Sequence, residues 1–364
     1  VNWLDQIHVG DCRELMLRML ADGVQVNCVV TSPPYWGLRD YGVAGQFGLE
    51  RSWQRHVARI RGTFREVRAL LAADGTCWMN YGDSYVTSRA NGGVGSNSTI
   101  NGQRTQEEFR RASRAMKSRI RPPDVDGPNR RRQVGLKDKD LVGMPWRVAF
   151  ALQDDGWFLR SDIIWHKPNP MPESIKDRPT KSHEYLFLLS KSPRYHYDSK
   201  AIAEPTTSTA RPRGDGVNPK ARVVPAGWAT GSGKHSAKDH ARAKDGLKDS
   251  TKFGRGKGWR NKQNESFCSA VTEPVLERNA RTVWTIPSAP FSAAHFATFP
   301  PDLVRRCILA GSRPGDIVFD PFMGSGTTAE VALSLGRHFI GCELNPEYAA
   351  MFKQHRSQQV GLAV

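Results

Sequence analysis

The sequence predicts an α/β protein built on one open, doubly wound sheet whose strands are permuted along the chain. Three observations predict it. Near the C-terminus, Asp316 to Ala329 reads as a strand, a tight glycine turn and a helix start, with Gly324, Gly326 and Ala329 in the G-x-G-x-x-G/A spacing of nucleotide-binding turns. An acid, Glu343, closes the next strand 17 residues after Gly326, where a carboxylate can accept both hydroxyls of a ribose. Only 21 residues follow Glu343, too few to finish such a sheet, so the missing strands come from earlier in the chain and the nucleoside-binding half comes last.

The elements follow in order. Arg13 to Leu20 spaces Leu and Met as a helix does, and Gln25 to Val30 is a short β-branched run. That strand ends at Thr31-Ser32-Pro33-Pro34, because Pro-Pro cannot continue a ladder. Trp53 to Leu71 repeats apolar residues at Val57, Ile60, Phe64, Val67, Leu70 and Leu71, a helical region that Gly75 ends before a strand over Thr76 to Tyr81. Asp140 to Leu152 resumes helical periodicity, and strands are expected at Trp157 to Trp165 and Tyr185 to Leu189. Between these two strands, His166 to Pro172 is too rich in proline for either regular element. Pro300-Pro301 opens a helix from Asp302 to Ala310 that Gly311 caps. Asp316 to Phe319 is a strand, Thr327 to Leu335 a helix and His338 to Cys342 a strand.

Charge divides the 364 residues differently. Lys and Arg total 53 against 36 Asp and Glu, a net +17 that points to a polyanionic partner. Residues 86–139 hold 13 basic and five acidic residues, and 200–285 hold 17 and eight, so these two blocks carry the whole excess. The segments 1–85, 140–199 and 286–364 are each neutral. An ordinary neutral α/β enzyme carries two basic, apolar-poor insertions.

Several classes drop out. Apolar runs are far shorter than the roughly 20 residues of a membrane span, and no cationic stretch followed by an apolar core opens the chain, so neither a span nor a signal peptide is expected. The six cysteines are scattered without a CxxC pair, which argues against structural zinc or a disulfide framework and fits a reducing cytoplasm. No metal site is expected.

The chemistry concentrates at Ser32-Pro33-Pro34-Tyr35. Ending a core strand, it projects toward the crevice at the carboxyl ends of the sheet, where ligands bind. Two prolines stiffen the backbone, leaving the Pro33 carbonyl and the Ser32 hydroxyl as fixed acceptors for an NH2 group, while Tyr35 offers a face on which a base can stack.

At these two segments the sequence resembles the beta class of S-adenosylmethionine-dependent DNA amino-methyltransferases, which place a catalytic (S/D/N)PP(Y/F) motif before a DPFxGSGTT cofactor motif. The matches are Ser32 to Tyr35 and Asp320 to Thr328, in that order. Similarity extends over roughly 1–85, 140–199 and 290–350. The resemblance implies a permuted methyltransferase (Rossmann-like) sheet: 1–85 its catalytic half, 140–199 more of its core, and 286–364 its cofactor-binding half. It makes 86–139 a basic insertion and 200–285 a loop-rich basic target-recognition region. Asp320 would meet the methionine ammonium of S-adenosyl-L-methionine and Glu343 its ribose hydroxyls. Pro321, Phe322, Gly324, Ser325, Gly326, Thr327 and Thr328 would approach the cofactor closely, and Gly10-Asp11 resembles the short Gly-Asp motif near the adenine ring. Trp165-His166-Lys167-Pro168 and Ser182-His183-Glu184 lie where the family lines its base pocket, though a structural role is expected of His166 and of any single residue there.

The implied reaction is direct methyl transfer to the exocyclic nitrogen of a base flipped out of double-stranded DNA. Cytosine-C5 methylation needs a nucleophilic cysteine, usually after a proline, and none of the six cysteines follows one. In the family, Ser in the first motif position goes mostly with cytosine N4, so N4 is favoured over adenine N6, although a hydroxyl serves either amine. An RNA or protein-glutamine amino-methyltransferase is the more distant alternative. A DNA-binding relic would not keep Ser32, Tyr35, Asp320 and Glu343 together. The resemblance also admits a homodimer, a cognate restriction endonuclease, and a cytoplasmic, DNA-associated site of action in a bacterium or phage.

Overall fold

The computed structural model describes residues 1–86, 135–137, 139–170, 172–205, 277–288 and 299–352. In chain order its elements are β1 (Gln6–Val9), α1 (Cys12–Ala21), β2 (Val26–Thr31), α2 (Trp53–Leu70), β3 (Leu71–Tyr81), α3 (Met144–Asp154), β4 (Phe158–His166), β5 (His183–Ser190), β6 (Glu204–Pro205), β7 (Glu277–Arg278), β8 (Val283–Thr285), α4 (Pro301–Gly311), β9 (Ile317–Asp320), α5 (Thr327–Ser334) and β10 (His338–Glu343). Two compact units result: Ala203–Asn279, in which β6 and β7 pair antiparallel, and the remainder, Val1–Ile202 with Ala280–Val364. Most of both basic blocks lies outside the described residues. The ends of the first are nonetheless pinned side by side, by a bridge between Tyr85 and Leu141 and by Val86 N donating to the Asp140 carbonyl at 2.9 Å.

Eight strands form one sheet in the order β1-β10-β9-β2-β3-β5-β4-β8. All neighbours are parallel except where β5 inserts antiparallel between β3 and β4. The permutation is explicit in this order, since β9 and β10 sit between β1 and β2. Both faces are covered. Val29 of β2 packs with Met16, Ile60, Phe64 and Val148 of α1, α2 and α3, whereas its neighbours Cys28 and Val30 pack with Leu303, Cys307 and Ala329 of α4 and α5. Strand alternation thus sends successive side chains into two cores, which is why β2 reads as an unbroken apolar run.

The boundaries moved for identifiable reasons. Gly75 does not end α2: the helix stops at Leu70, and Leu71 already has extended backbone and opens β3. A Cβ on Gly75 would stand 2.8 Å from the Asn27 carbonyl, so this glycine serves strand packing. The helix expected from Asp140 starts at Met144, because Asp140 to Val142 are spent on the bridge at Tyr85 and Ser84 and Pro145 occupies the first turn. Gly311 lies inside α4, not after it. A Cβ there would meet Thr76 Oγ1 at 2.4 Å and Trp78 Nε1 at 2.5 Å, so the missing side chain lets α4 approach β3. Strands β1 and β8 lie at the two edges of the sheet and bury one residue each, Ile7 and Trp284, which leaves almost no hydrophobic signal in the sequence. No helix among the described residues is long and apolar enough to cross a membrane.

Candidate active site

Strands β9 and β2 are neighbours, with Cys28 opposite Val318 and Val29 opposite Phe319, and the chain leaves them in opposite directions across the sheet. That is the switch point of an open α/β sheet, where the carboxyl ends of the strands part into a crevice. Both sequence motifs follow directly from these two strands. The Thr31 hydroxyl at the end of β2 donates to Asp320 Oδ1 at the end of β9, 2.6 Å away and fully buried.

Two adjoining cavities open here, a smaller and a larger. Ser32, Pro34, Phe322 and Gly324 line both. Asp11, Pro321 and Glu343 line the smaller; Pro33, Tyr35, Asp320, Ser325, Thr327 and Thr328 line the larger. Of the residues expected from the sequence, Gly326 lines neither. Its contribution is conformational: φ is 97°, it precedes the first turn of α5, and a Cβ would lie 2.4 Å from the Phe352 ring. Gly326→Ala is expected to destabilise the protein by about 1–3 kcal/mol, read as a lowered unfolding midpoint in denaturant, because both the backbone and the space oppose a side chain.

The smaller cavity is walled by two acids. Glu343 Oε2 accepts the Gly324 N–H at 2.8 Å and Oε1 the Asn345 N–H at 2.7 Å, which fixes the carboxylate while each oxygen keeps a lone pair. Burial raises its pKa, and the backbone donors oppose that rise. Asp11 caps α1, accepting the Arg13 N–H at 2.8 Å, so part of its role is structural. Cys12 and Cys342 also line this cavity. Burial, and then the charge of Asp11, push the Cys12 thiol up to about 12, and burial raises Cys342 well above the ordinary value. Neither supplies a thiolate.

In the larger cavity Asp320 is 3% exposed. It accepts from Thr31, from the Phe322 N–H at 2.9 Å and from the Thr328 hydroxyl at 2.9 Å. Every one of these donors is neutral, and burial raises the carboxyl to about 6. A buried carboxylate hydrogen-bonded only to neutral groups is a site for a cation.

The larger cavity also holds a polar group that joins Ser32 and Tyr35 to Glu184 and to Asn80, of which only Asn80 lies outside the segments expected from the sequence. Ser32 Oγ is 3.3 Å from both the Tyr35 hydroxyl and Asn80 Oδ1, and the Tyr35 hydroxyl is 2.9 Å from Asn80 Oδ1 and from Glu184 Oε2. Glu184 also pairs with Lys167, whose ammonium sits 4.2 Å from the Trp165 ring centre. Glu184 lies in the Ser182-His183-Glu184 segment expected at the base pocket, whereas the one available signal for Asn80 was a polar residue interrupting the apolar strand β3. His166 stays out of both cavities and bonds to Thr285 at 3.1 Å. Beneath the turn, Tyr81 lies against the Tyr35 ring, centroids 4.8 Å apart, and its hydroxyl meets His56 Nε2 at 2.6 Å. His56 Nδ1 in turn meets Glu50 at 2.6 Å. Burial favours a neutral Glu50, but His56 and Arg59 outweigh it and hold the carboxyl at about 2. The Glu50 carbonyl also accepts the Trp36 indole N–H at 2.9 Å, so this buried chain clamps the segment that follows Tyr35.

The model of one protein family, described as DNA methylase, matches residues 26–354. The chain belongs to the N6/N4 DNA methylase family. This DNA methylase is 40% identical over 350 residues to the Type II methyltransferase M.SmaI of Serratia marcescens, covering 96% of this chain and 89% of that one. A chain named as a putative DNA modification methylase of Thermus thermophilus, solved with S-adenosyl-L-methionine, shares the fold at a TM-score of 0.51 and 21% identity, covering 98% of this chain and 94% of the other. The PvuII DNA methyltransferase, a cytosine-N4-specific enzyme, does so at 0.52 and 17%, covering 95% and 84%. This DNA methylase is therefore an S-adenosylmethionine-dependent DNA amino-methyltransferase of the N4/N6 type on a Rossmann-like sheet. Its cavities fit that cofactor: fixed acceptors at Glu343, and at Asp320 a buried carboxylate suited to a cation.

Proposed function

We propose that this DNA methylase modifies cytosine N4 in double-stranded DNA. The observation that carries the reading is the position of Ser32, which lines both cavities and so borders the space of Glu343 in the one and, in the other, the space that Asp320 shares with Tyr35, where a base can enter. When bound, S-adenosylmethionine supplies an electrophilic methyl group on a sulfonium. Asp320 holds the ammonium, Glu343 the ribose hydroxyls, and Gly324 to Thr328 leave the backbone of the turn close to the carboxylate end, at the start of α5. Asp11, in the smaller cavity with Glu343, would border the adenine ring.

The exocyclic nitrogen is a poor nucleophile because its lone pair is delocalised into the ring. Ser32 Oγ and the Pro33 carbonyl, accepting its two hydrogens, favour the pyramidal geometry in which that lone pair is available. Tyr35 stacks against the base. No protein nucleophile is needed, which agrees with the protonated thiols of Cys12 and Cys342. A base within a duplex cannot reach a turn in the crevice at the carboxyl ends of the central strands, so the target flips out of the helix. The basic blocks 86–139 and 200–285 supply phosphate contacts and target recognition, supported by the concentration of the whole net charge there. Type II relatives support a cognate endonuclease as companion.

A neutral serine, not a carboxylate, favours cytosine by family pattern. Methylating unmethylated DNA with labelled S-adenosylmethionine and digesting the product to nucleosides tests this directly. Label in N4-methylcytosine is expected; label in N6-methyladenine would overturn the assignment of the base and keep the enzyme class.

A further inference from the structure

Two hydroxyl protons in the larger cavity compete for acceptors, and their distribution decides what Ser32 offers a substrate. The Tyr35 hydroxyl can donate to Glu184 Oε2 or to Asn80 Oδ1, each 2.9 Å away. The Ser32 hydroxyl can donate to Asn80 Oδ1 or to the Tyr35 oxygen, each at 3.3 Å, or turn its proton into the cavity. Asn80 is held with its oxygen toward them, because its Nδ2 donates to the Tyr185 carbonyl at 3.1 Å.

Tyr35 has one proton, and a bond to a carboxylate is roughly twice as strong as one to a neutral amide. It therefore goes to Glu184. Burial and the charge of Glu184 keep the phenol protonated, and Lys167 outweighs burial to keep Glu184 ionised, so donor and acceptor do not exchange roles. Asn80 Oδ1 is then left to the Ser32 proton, and the lone pairs of Ser32 face the cavity.

We propose that Glu184 is a positioning residue that sets the direction of hydrogen bonding through Tyr35 and Asn80, so that Ser32 meets the target amine as an acceptor. This rests on the reading of Ser32 as the amine acceptor and adds a residue 149 positions from Tyr35 that acts without touching substrate. A glutamine at 184 would reverse the arrangement. Its amide oxygen faces the Lys167 ammonium, because an amide N–H cannot, and its NH2 then donates to the Tyr35 oxygen. Tyr35 must turn its proton to Asn80 Oδ1 at 2.9 Å, and the Ser32 proton, left to share that oxygen at 3.3 Å, is held there less firmly and turns more readily toward the amine.

The test is an interaction between two substitutions. Steady-state methylation of unmethylated plasmid DNA with tritiated S-adenosylmethionine is compared for wild type, Glu184→Gln, Tyr35→Phe, the double variant and Ser32→Ala. Glu184→Gln is expected to lower kcat about 10- to 100-fold with KM for DNA within about threefold. In the Tyr35→Phe background, which keeps the ring and removes the competing proton, Glu184→Gln should change kcat by less than about threefold. An equal loss in both backgrounds would overturn the proposal and assign Glu184 to holding Lys167; no loss in either would overturn it as well. Full activity of Ser32→Ala would instead remove the reading beneath it, so the two failures are distinguishable.

Discussion

Replacing Ser32 with alanine is expected to lower kcat about 100- to 1000-fold while leaving affinity for S-adenosylmethionine within about threefold. The size follows from the role. A single well-placed group aimed at the atom where charge develops is worth more inside a water-poor cavity than on a surface. The specificity of the loss follows from the surroundings. After the Ser32 hydroxyl is gone, Asn80 stays anchored through Nδ2 to the Tyr185 carbonyl at 3.1 Å and Tyr35 through its bond to Glu184 at 2.9 Å, so the cost falls on one Asn80 oxygen that lines the cavity. The fold, and the cofactor contacts at Asp320 and Glu343, should survive. Calorimetric titration with cofactor and a thermal melt separate the outcomes: weakened cofactor binding, or a kcat within about threefold of wild type, would contradict the assigned role.

Asp320→Asn is expected to weaken cofactor binding about 100-fold or more, the penalty for depriving a buried cation of its partner charge. It should also leave stability unchanged or improved. Asn can still accept from Thr31 and the Phe322 N–H, and the Thr328 hydroxyl can rotate to accept from its NH2. Meanwhile the native carboxylate is held against its environment: burial raises it from 3.8 to about 6, with Glu343 adding to the rise. About two units correspond to roughly 3 kcal/mol of penalty in the charged, ligand-free state. A carboxyl whose folded pKa exceeds its unfolded value binds protons preferentially in the folded state, so this contribution to stability grows as pH falls from about 6 toward 4 and is lost above 6. Cofactor affinity runs the other way. Below about 6 the proton must leave before a cation can pair, so affinity should fall about tenfold per pH unit, and Asp320→Asn should abolish that slope. Wild-type affinity in the variant would refute the pairing.

These expectations rest on residues of unequal visibility. Ser32 to Tyr35 and Asp320 to Thr328 were legible because each is a contiguous stretch in which strand, turn and helix start follow one another. Glu343 was legible as the acid closing the next strand. Gly326 was correctly marked and differently employed, since only the packed Phe352 ring shows that it serves backbone shape. Strands β1 and β8 were silent because an edge strand that buries one residue has no period to detect.

Sequence by itself determined the permuted order of the two motifs, the class of sheet, the cofactor and the placement of charge in two blocks. The motif order, the sheet and the charge are properties of neighbours along the chain or of composition, and the cofactor is what the resemblance carried by those motifs implies, so all survive without knowing which distant residues meet. Tertiary structure alone decided that Thr31 bonds to Asp320, 289 positions away, and that Asn80 and Glu184 join the catalytic turn across 45 and 149 positions. It alone placed the Glu50–His56–Tyr81 chain beneath that turn. A lone polar residue in an apolar strand carries no partner in its own sequence; its chemistry is set when the sheet closes and a second polar group arrives within about 3 Å.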